Sequence, residues 1–267
     1  MPILHLILDA LVQGVTECLP VSSSGHLILL PNLTGLDDQG QVIDVAVHVG
    51  TLGGVVLYFW RDVKRAFQGI GPMLMGHFDD PDARLAMLLC IATVPVMVVG
   101  LIFKLTGTDD ALRSVTVIAW TTLLFGIVLW WADRTGPVEK NSDDWSIRDA
   151  LIMGAWQVLA LIPGTSRSGI TITGARQLGY MREDAARLAM LMSVPTILVS
   201  GALLGLEVAS TMDVAAARDG AIAAVFAFFA SLAALHFMMR LLRSVSFTPY
   251  VIYRIALGSA LLVYAYG

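Results

Sequence analysis

Between Gln13 and Pro31 the sequence runs QGVTECLPVSSSGHLILLP, which sets a carboxylate, three consecutive hydroxyls and an imidazole inside an otherwise apolar N-terminal segment. An ionised side chain at a bilayer centre costs about 2.5 to 3.5 kcal/mol even on the lenient insertion scale, so Glu17 needs a partner or a task there. The rest of the chain makes a bilayer the right reference. Of its 267 residues, 57% are hydrophobic and only 14% charged, and the mean hydropathy is +0.75. That composition lies outside the globular range and reads as an integral membrane protein, with no nucleic-acid partner expected.

Residues 3–15 look helical but are shorter than the about 20 residues a crossing needs, and Pro20 then breaks the run. A second apolar piece covers 24–33, so 3–33 predicts a re-entrant helical hairpin whose Ser-rich turn is sheltered by protein. Spans are expected at 43–60, 84–104 and 113–132, completing a first repeat over 1–134. Residues 135–146 contain Gly136-Pro137 and Asp143-Asp144 and read as a linker. The plan then restarts over 147–267, with a second hairpin at 147–179, built from pieces at 147–161 and 168–179, and spans at 184–205, 219–240 and 248–265. Laid over the first half, Gln157 meets Gln13 and Ser166-Arg167-Ser168-Gly169 meets Ser22-Ser23-Ser24-Gly25, with Pro20 and Pro163 one residue out of step. Three crossings per half invert the second. The expected fold class is therefore an all-α integral membrane protein with an inverted-topology repeat, an arrangement that also builds transporter sites.

Loop charge orients this plan. Arg61, Lys64, Arg65, Arg84, Arg134, Lys140, Arg148, Arg176, Arg182, Arg187, Arg240 and Arg243 fall on one side, against Lys104, Arg113 and Arg218 on the other. By the positive-inside rule both termini and the mouth of the first hairpin are extracytoplasmic. Arg167 and Arg254 lie within membrane segments. Cys18 and Cys90 lack metal-ligand spacing and read as packing residues. The N-terminus has no basic n-region, so a cleaved signal peptide is not expected.

The two Ser-rich turns carry the chemistry. A helix that begins inside the protein offers unpaired N–H groups and a partial positive charge to phosphate. Arg167 adds a forked donor suited to phosphate oxygens, and Gly25, Gly164 and Gly169 let a ligand approach the backbone. Ser22, Ser24, Ser166, Ser168 and Thr171 are candidate donors to phosphate, or bond their own backbone. Gln13 and Glu17 stand four apart and Ser23 and His26 three apart, so each pair shares a helix face. A carboxylate beside an anionic ligand calls for a bridging cation, which makes Glu17 a candidate Mg²⁺ or Ca²⁺ ligand, with Gln13 as a second donor. His26 suits a base, acid or nucleophile, and the three-residue spacing favours Ser23 attacking with His26 as its base. Direct attack by water and a phosphohistidine at His26 stay open. Asp44 and His48, four apart, form a weaker pair, while His5, His77 and His236 suggest no metal site.

The run from Gln13 to His26 and the run Pro163-Gly-Thr-Ser-Arg-Ser-Gly169 together resemble the bacitracin-resistance family of undecaprenyl-diphosphate phosphatases. The likeness extends to Tyr253-Arg254, to the segment around Arg187 and Pro195, and to length and hydropathy. The resemblance implies hydrolysis of undecaprenyl diphosphate to the monophosphate carrier of cell-wall synthesis, in the bacterial plasma membrane, with a divalent cation. It implies Glu17, Ser23, His26 and Arg167 as the catalytic positions. Many members carry glutamate where this chain has Gln13, which removes one negative ligand from the implied metal site. A homodimer is allowed. The competing reading is a transporter or flippase of an anionic prenyl phosphate lipid, which the repeat accommodates; a Ser–His pair opposite Arg167 favours chemistry, since transport needs no nucleophile.

Overall fold

The computed structural model describes residues 3–27, 40–108, 112, 114–209 and 214–267. Among these residues every regular element is helical, apart from an isolated bridge between Lys140 and Tyr180. The helices are α1 (Ile3–Cys18), α2 (Gly40–Tyr58), α3 (Trp60–Leu74), α4 (Pro81–Thr106), α5 (Val115–Thr135), α6 (Ile147–Val158), α7 (Arg167–Gln177), α8 (Arg182–Ala209), α9 (Val214–Leu242) and α10 (Thr248–Tyr266). Six of them, α2, α4, α5, α8, α9 and α10, are long and apolar enough to cross a membrane, so the chain is a multi-pass membrane protein. Helices α1, α6 and α7 have 16, 12 and 11 residues. At 1.5 Å per residue they reach about 24, 18 and 17 Å, short of an about 30 Å hydrocarbon core.

Local chemistry sets the boundaries. Asp80 caps α4 by accepting from the amides of Asp82 and Ala83, and Gly107 ends it at φ 67°. Ser114 and Ser146 cap α5 and α6 through side-chain oxygens. Such a cap contributes about 1 kcal/mol. The first helix runs to Cys18, three residues beyond the predicted end, before the chain turns at Pro20. The turn is followed by a helical segment at 23–27; the remainder of that predicted piece, 28–33, and the predicted span start at Arg113 lie outside the described residues.

Small residues bring the helices together. A Cβ on Gly50 or Gly54 of α2 would overlap Ala224 or Ser231 of α9, and one on Gly14 of α1 would sit 2.6 Å from the Ala227 carbonyl oxygen. Gly154 of α6 meets α4 in the same way, 2.5 Å from the Ala92 oxygen. In a bilayer, where burial of apolar surface drives little, this close van der Waals contact holds helices together. It seats the short helices α1 and α6 against spans.

One end of the bundle is tied by buried ions. Asp133, at the end of α5 and 3% exposed, accepts from Arg176 Nε (3.0 Å), Arg182 Nε (2.8 Å) and the Phe247 amide (3.2 Å). Asp149 accepts from Lys140 Nζ (2.9 Å) and the Tyr180 hydroxyl (2.7 Å), and Asp62 takes both Arg187 Nε (2.9 Å) and Nη2 (2.5 Å). The linker is pinned here too: the Met181 amide donates to Lys140 O and the Ser142 amide to Asp184.

Two expectations need correction. The stretch after the first span, read as loop, forms α3. Its apolar residues Trp60, Val63, Phe67, Ile70 and Leu74 recur at helical spacing between charges, so the segment is too amphipathic to register as a span. Cys18 is buried as expected, whereas Cys90 is exposed on the outer face of α4 and packs no core.

Candidate active site

The two Ser-rich turns have the same local geometry. Ser22 and Ser166 are the non-glycine residues with positive φ among the described residues, at 75° and 70°. Holding a serine there costs on the order of 1 to 3 kcal/mol and persists only where surroundings over-determine it. In each turn the strained serine's Oγ accepts from the glycine amide three residues on, Gly25 at 3.4 Å and Gly169 at 3.2 Å. In each, it also meets the serine two residues on at 3.3 Å, Ser24 or Ser168. Those outer serines cross-link the turns: Ser24 Oγ accepts from the Gly164 amide (3.1 Å), and Ser168 Oγ donates to Leu19 O (2.9 Å).

Arg254 of α10, fully buried, underlies both turns. It donates to Pro20 O (3.4 Å) in the first, to Gly164 O (3.2 Å) and Thr165 O (2.9 Å) in the second, and to Thr122 O (3.0 Å) on α5. Thr121 and Thr122 donate to Pro163 O and Gly164 O from the same side. The result is a preorganised pair of turns with the N-termini of two helices facing one space.

That space is a cavity of about 280 Å³ lined by Glu17, Ser22, Ser23, Ser24, His48, Ser166 and Arg167, and on the opposite wall by Val96, Thr196, Ile197 and Ser200. Glu17, 10% exposed, is its hub. Arg167 Nη2 donates to Glu17 Oε1. Ser23 Oγ donates to Oε2 at 2.6 Å, and Gln13 Nε2 donates to the same oxygen at 3.1 Å. Glu17, Ser23 and Arg167 are thus brought into one cluster across the two turns.

His26 is placed apart from it. Its Nδ1 lies 2.6 Å from Ser22 O and so carries the proton, which leaves Nε2 to accept from the Tyr253 hydroxyl at 2.5 Å, the two rings lying parallel. The three-residue spacing therefore does not join Ser23 to His26; the Ser23 hydroxyl is directed at Glu17. Thr171 donates to Arg167 O within its own helix. Asp44 meets His48 through its backbone oxygen, 2.7 Å from Nδ1. Gln13, fully buried, stands behind Glu17 and turns its amide nitrogen toward it.

The family model described as Bacitracin resistance protein BacA matches residues 6–260. The chain belongs to this family. Within the bacitracin-resistance family, the chain is 68% identical over 267 residues to an undecaprenyl-diphosphatase of Ruegeria pomeroyi and 65% identical over 267 residues to one of Jannaschia sp., covering 100% of each pair. A more distant relative, the undecaprenyl-diphosphatase of Aliivibrio salmonicida, is 42% identical over 96% of this chain and 95% of its own.

A bacitracin-resistance site read with a divalent cation asks for hard oxygen donors, and Glu17 is the carboxylate on the cavity wall. Among the described residues no group of three or more His, Cys, Asp or Glu is placed to hold a metal. One carboxylate fits an ion of the Mg²⁺ kind, which is commonly held by one or two carboxylates together with substrate phosphates. Sequence reasoning missed Thr196, Ser200 and the hydroxyl of Tyr253 as site groups. Tyr253 carried a signal in its place beside Arg254; the two α8 hydroxyls, in an apolar span, carried none.

Proposed function

We propose that this chain hydrolyses undecaprenyl diphosphate to undecaprenyl phosphate and inorganic phosphate, which returns the lipid carrier to cell-wall synthesis and gives bacitracin resistance. The observation that carries the reading is the Glu17–Ser23–Arg167 cluster at the meeting of two helix N-termini. A terminal phosphate competes with Glu17 for the Arg167 fork, while Ser22, Ser24, Gly25, Ser166, Ser168 and Gly169 belong to the cradle of turns around it, and Thr171, bonded to Arg167 O, supports the α7 end of that cradle from within the helix. Release from Arg167 leaves Glu17 free to take a proton.

Ser23 Oγ then attacks the terminal phosphorus, forming an O–P bond as the bond from phosphorus to the bridging oxygen breaks. Glu17 takes the Ser23 proton and passes it to the departing lipid phosphate. Water next hydrolyses the serine ester, its hydroxide going to phosphorus and its proton to Ser23 Oγ. His26, tied to Ser22 O and Tyr253, holds the strained serine in place. Glu17 Oε1, the oxygen that Arg167 would give up, would hold a divalent cation while Oε2 faces Ser23, and such a cation would supply charge neutralisation, which dominates phosphoryl transfer.

The matched turn geometry supports an inverted repeat in which α1 and α6–α7 are arms of re-entrant hairpins. The loop-charge bias supports a bacterial plasma-membrane protein with both termini and the active-site mouth extracytoplasmic. Val96 and Ile197 put apolar side chains, beside the hydroxyls of Thr196 and Ser200, on the wall formed by α4 and α8, where the first prenyl units would lie. A carrier would need no hydroxyl aimed at a carboxylate, so transport is the weaker reading.

Purified protein given undecaprenyl diphosphate should release phosphate, and chelation should suppress the release. Failure of folded protein to release phosphate with added Mg²⁺ or Ca²⁺ would remove the hydrolase assignment.

A further inference from the structure

His48 of α2 is on the cavity wall, yet the phosphatase chemistry above does not use it. Its Nδ1 lies 2.7 Å from the backbone oxygen of Asp44, an acceptor only, so Nδ1 donates. A neutral imidazole then presents a lone pair at Nε2, and Gln13 Nε2 stands 3.2 Å from it. The same amide nitrogen is 3.1 Å from Glu17 Oε2, which a carboxylate paired with Arg167 offers only as an acceptor. The two neighbours independently require the amide nitrogen, not the oxygen, on this side of Gln13.

That orientation carries a cost. Among the described residues, buried Gln13 Oε1 has no hydrogen-bond partner. Flipping the amide would aim that oxygen at a carboxylate oxygen and an imidazole lone pair, so the orphaned carbonyl is what remains when both donors are spent on Glu17 and His48. The hydrogen bonds thus run one way, from His48 Nδ1 to the Asp44 carbonyl, and from the Gln13 amide to both His48 Nε2 and Glu17 Oε2. Ser23 donates to that same Oε2 at 2.6 Å.

We infer that His48 is a positioning residue for the Glu17–Ser23 pair, acting through Gln13: its Nε2 lone pair fixes the Gln13 amide and thereby the rotation of the Glu17 carboxylate that receives the Ser23 hydroxyl. His48 Nε2 is itself 4.0 Å from Glu17 Oε2, too far for a direct hydrogen bond. The inference rests on the hydrolase reading for its kinetic consequence but not for its geometry. Partners that orient a functional carboxylate from behind typically matter about 10- to 100-fold in activity.

The test combines kinetics with a spectrum of the full-length protein in lipid. His48→Leu should lower kcat about 10- to 100-fold while KM moves by about twofold or less, because the cradle that binds phosphate is untouched. His48→Gln, which restores an acceptor at similar reach, should recover most of the loss. His48→Leu combined with Gln13→Leu should be no worse than the poorer single variant, since both break one chain. In ¹⁵N-histidine spectra at neutral pH, the signal removed by His48→Gln should report a protonated Nδ1 and a bare Nε2. A proton on Nε2, full activity in folded His48→Leu, or losses that multiply in the double variant would overturn the inference. A wild-type protein without phosphate release but with the Nδ1–H tautomer would overturn the hydrolase reading and support the hydrogen-bond chain.

Discussion

Arg254 offers the sharpest test of how the site is held, because it is not among the residues lining the site cavity and yet ties both turns to the spans. Its strongest contacts are those to Thr165 O at 2.9 Å, Thr122 O at 3.0 Å and Gly164 O at 3.2 Å. Hydrogen bonds to a charged donor contribute about 1.5 to 3 kcal/mol each, so three sum to roughly 5 to 9 kcal/mol. Removing the arginine also removes the cost of burying a charge, which takes back several kcal/mol. The net loss for Arg254→Met is then about 3 kcal/mol, a large fraction of a typical stability of 5 to 15 kcal/mol but less than all of it. At about 2 to 4 °C per kcal/mol, the detergent-solubilised variant should melt on the order of 10 °C lower. Phosphate release should fall further than folding does, since the freed carbonyls of Pro20 and Thr165 lie beside Ser22 and Ser166. Arg254→Lys, with three donors and no fork, should sit between. An Arg254→Met protein that melts within about 2 °C of wild type and turns over normally would refute the reasoning.

Arg167→Lys keeps the charge but not the fork, and should lose most activity in phosphate-release assays with the fold intact; a wild-type rate would move the phosphate clamp elsewhere. Single cysteines at Gly267→Cys and Asp143→Cys, in a background lacking Cys18 and Cys90, should react with an impermeant reagent on intact cells at the first position and not the second. Burial raises the Asp149 carboxyl, but hydrogen bonds from Tyr180 and Lys140 outweigh it and hold the group below the usual carboxylate range. A depressed folded pKa gives stability that is present above the unfolded value, about 3.9, and lost as pH falls through the folded value. Asp149→Asn should therefore lower the melting temperature at neutral pH and flatten its decline below about pH 4; an unchanged acid limb would show that this carboxylate is not linked to folding.

The sequence by itself determined the class of molecule and singled out the polar residues Glu17, Ser23 and Arg167 that the structure brings together. Hydropathic runs separated by turn residues pointed to six apolar segments, and the structure has six helices long and apolar enough to cross a membrane, because a bilayer demands about 20 apolar residues whatever lies beside them. Pro20 and Pro163 marked the breaks, and the matched Ser-rich runs announced two equivalent turns, because a proline cannot continue a helix and a polar run is too costly in lipid to be incidental. Spacing along one helix was a poorer guide to pairing. Ser23 and His26 are three apart, but Ser22 at φ 75° turns the chain, so Ser23 faces Glu17 six residues back while His26 meets Tyr253. Glu17 with Arg167, and Gln13 with His48, join residues 150 and 35 positions apart. Those partnerships depend on which helix faces which, and that is decided by Gly14, Gly50 and Gly54 letting α1 and α2 close on α9, and by Arg254 binding both turns to α5. Hydropathy is a property of each segment, whereas the direction of a hydrogen bond belongs to two segments at once, so only the tertiary structure could assign it.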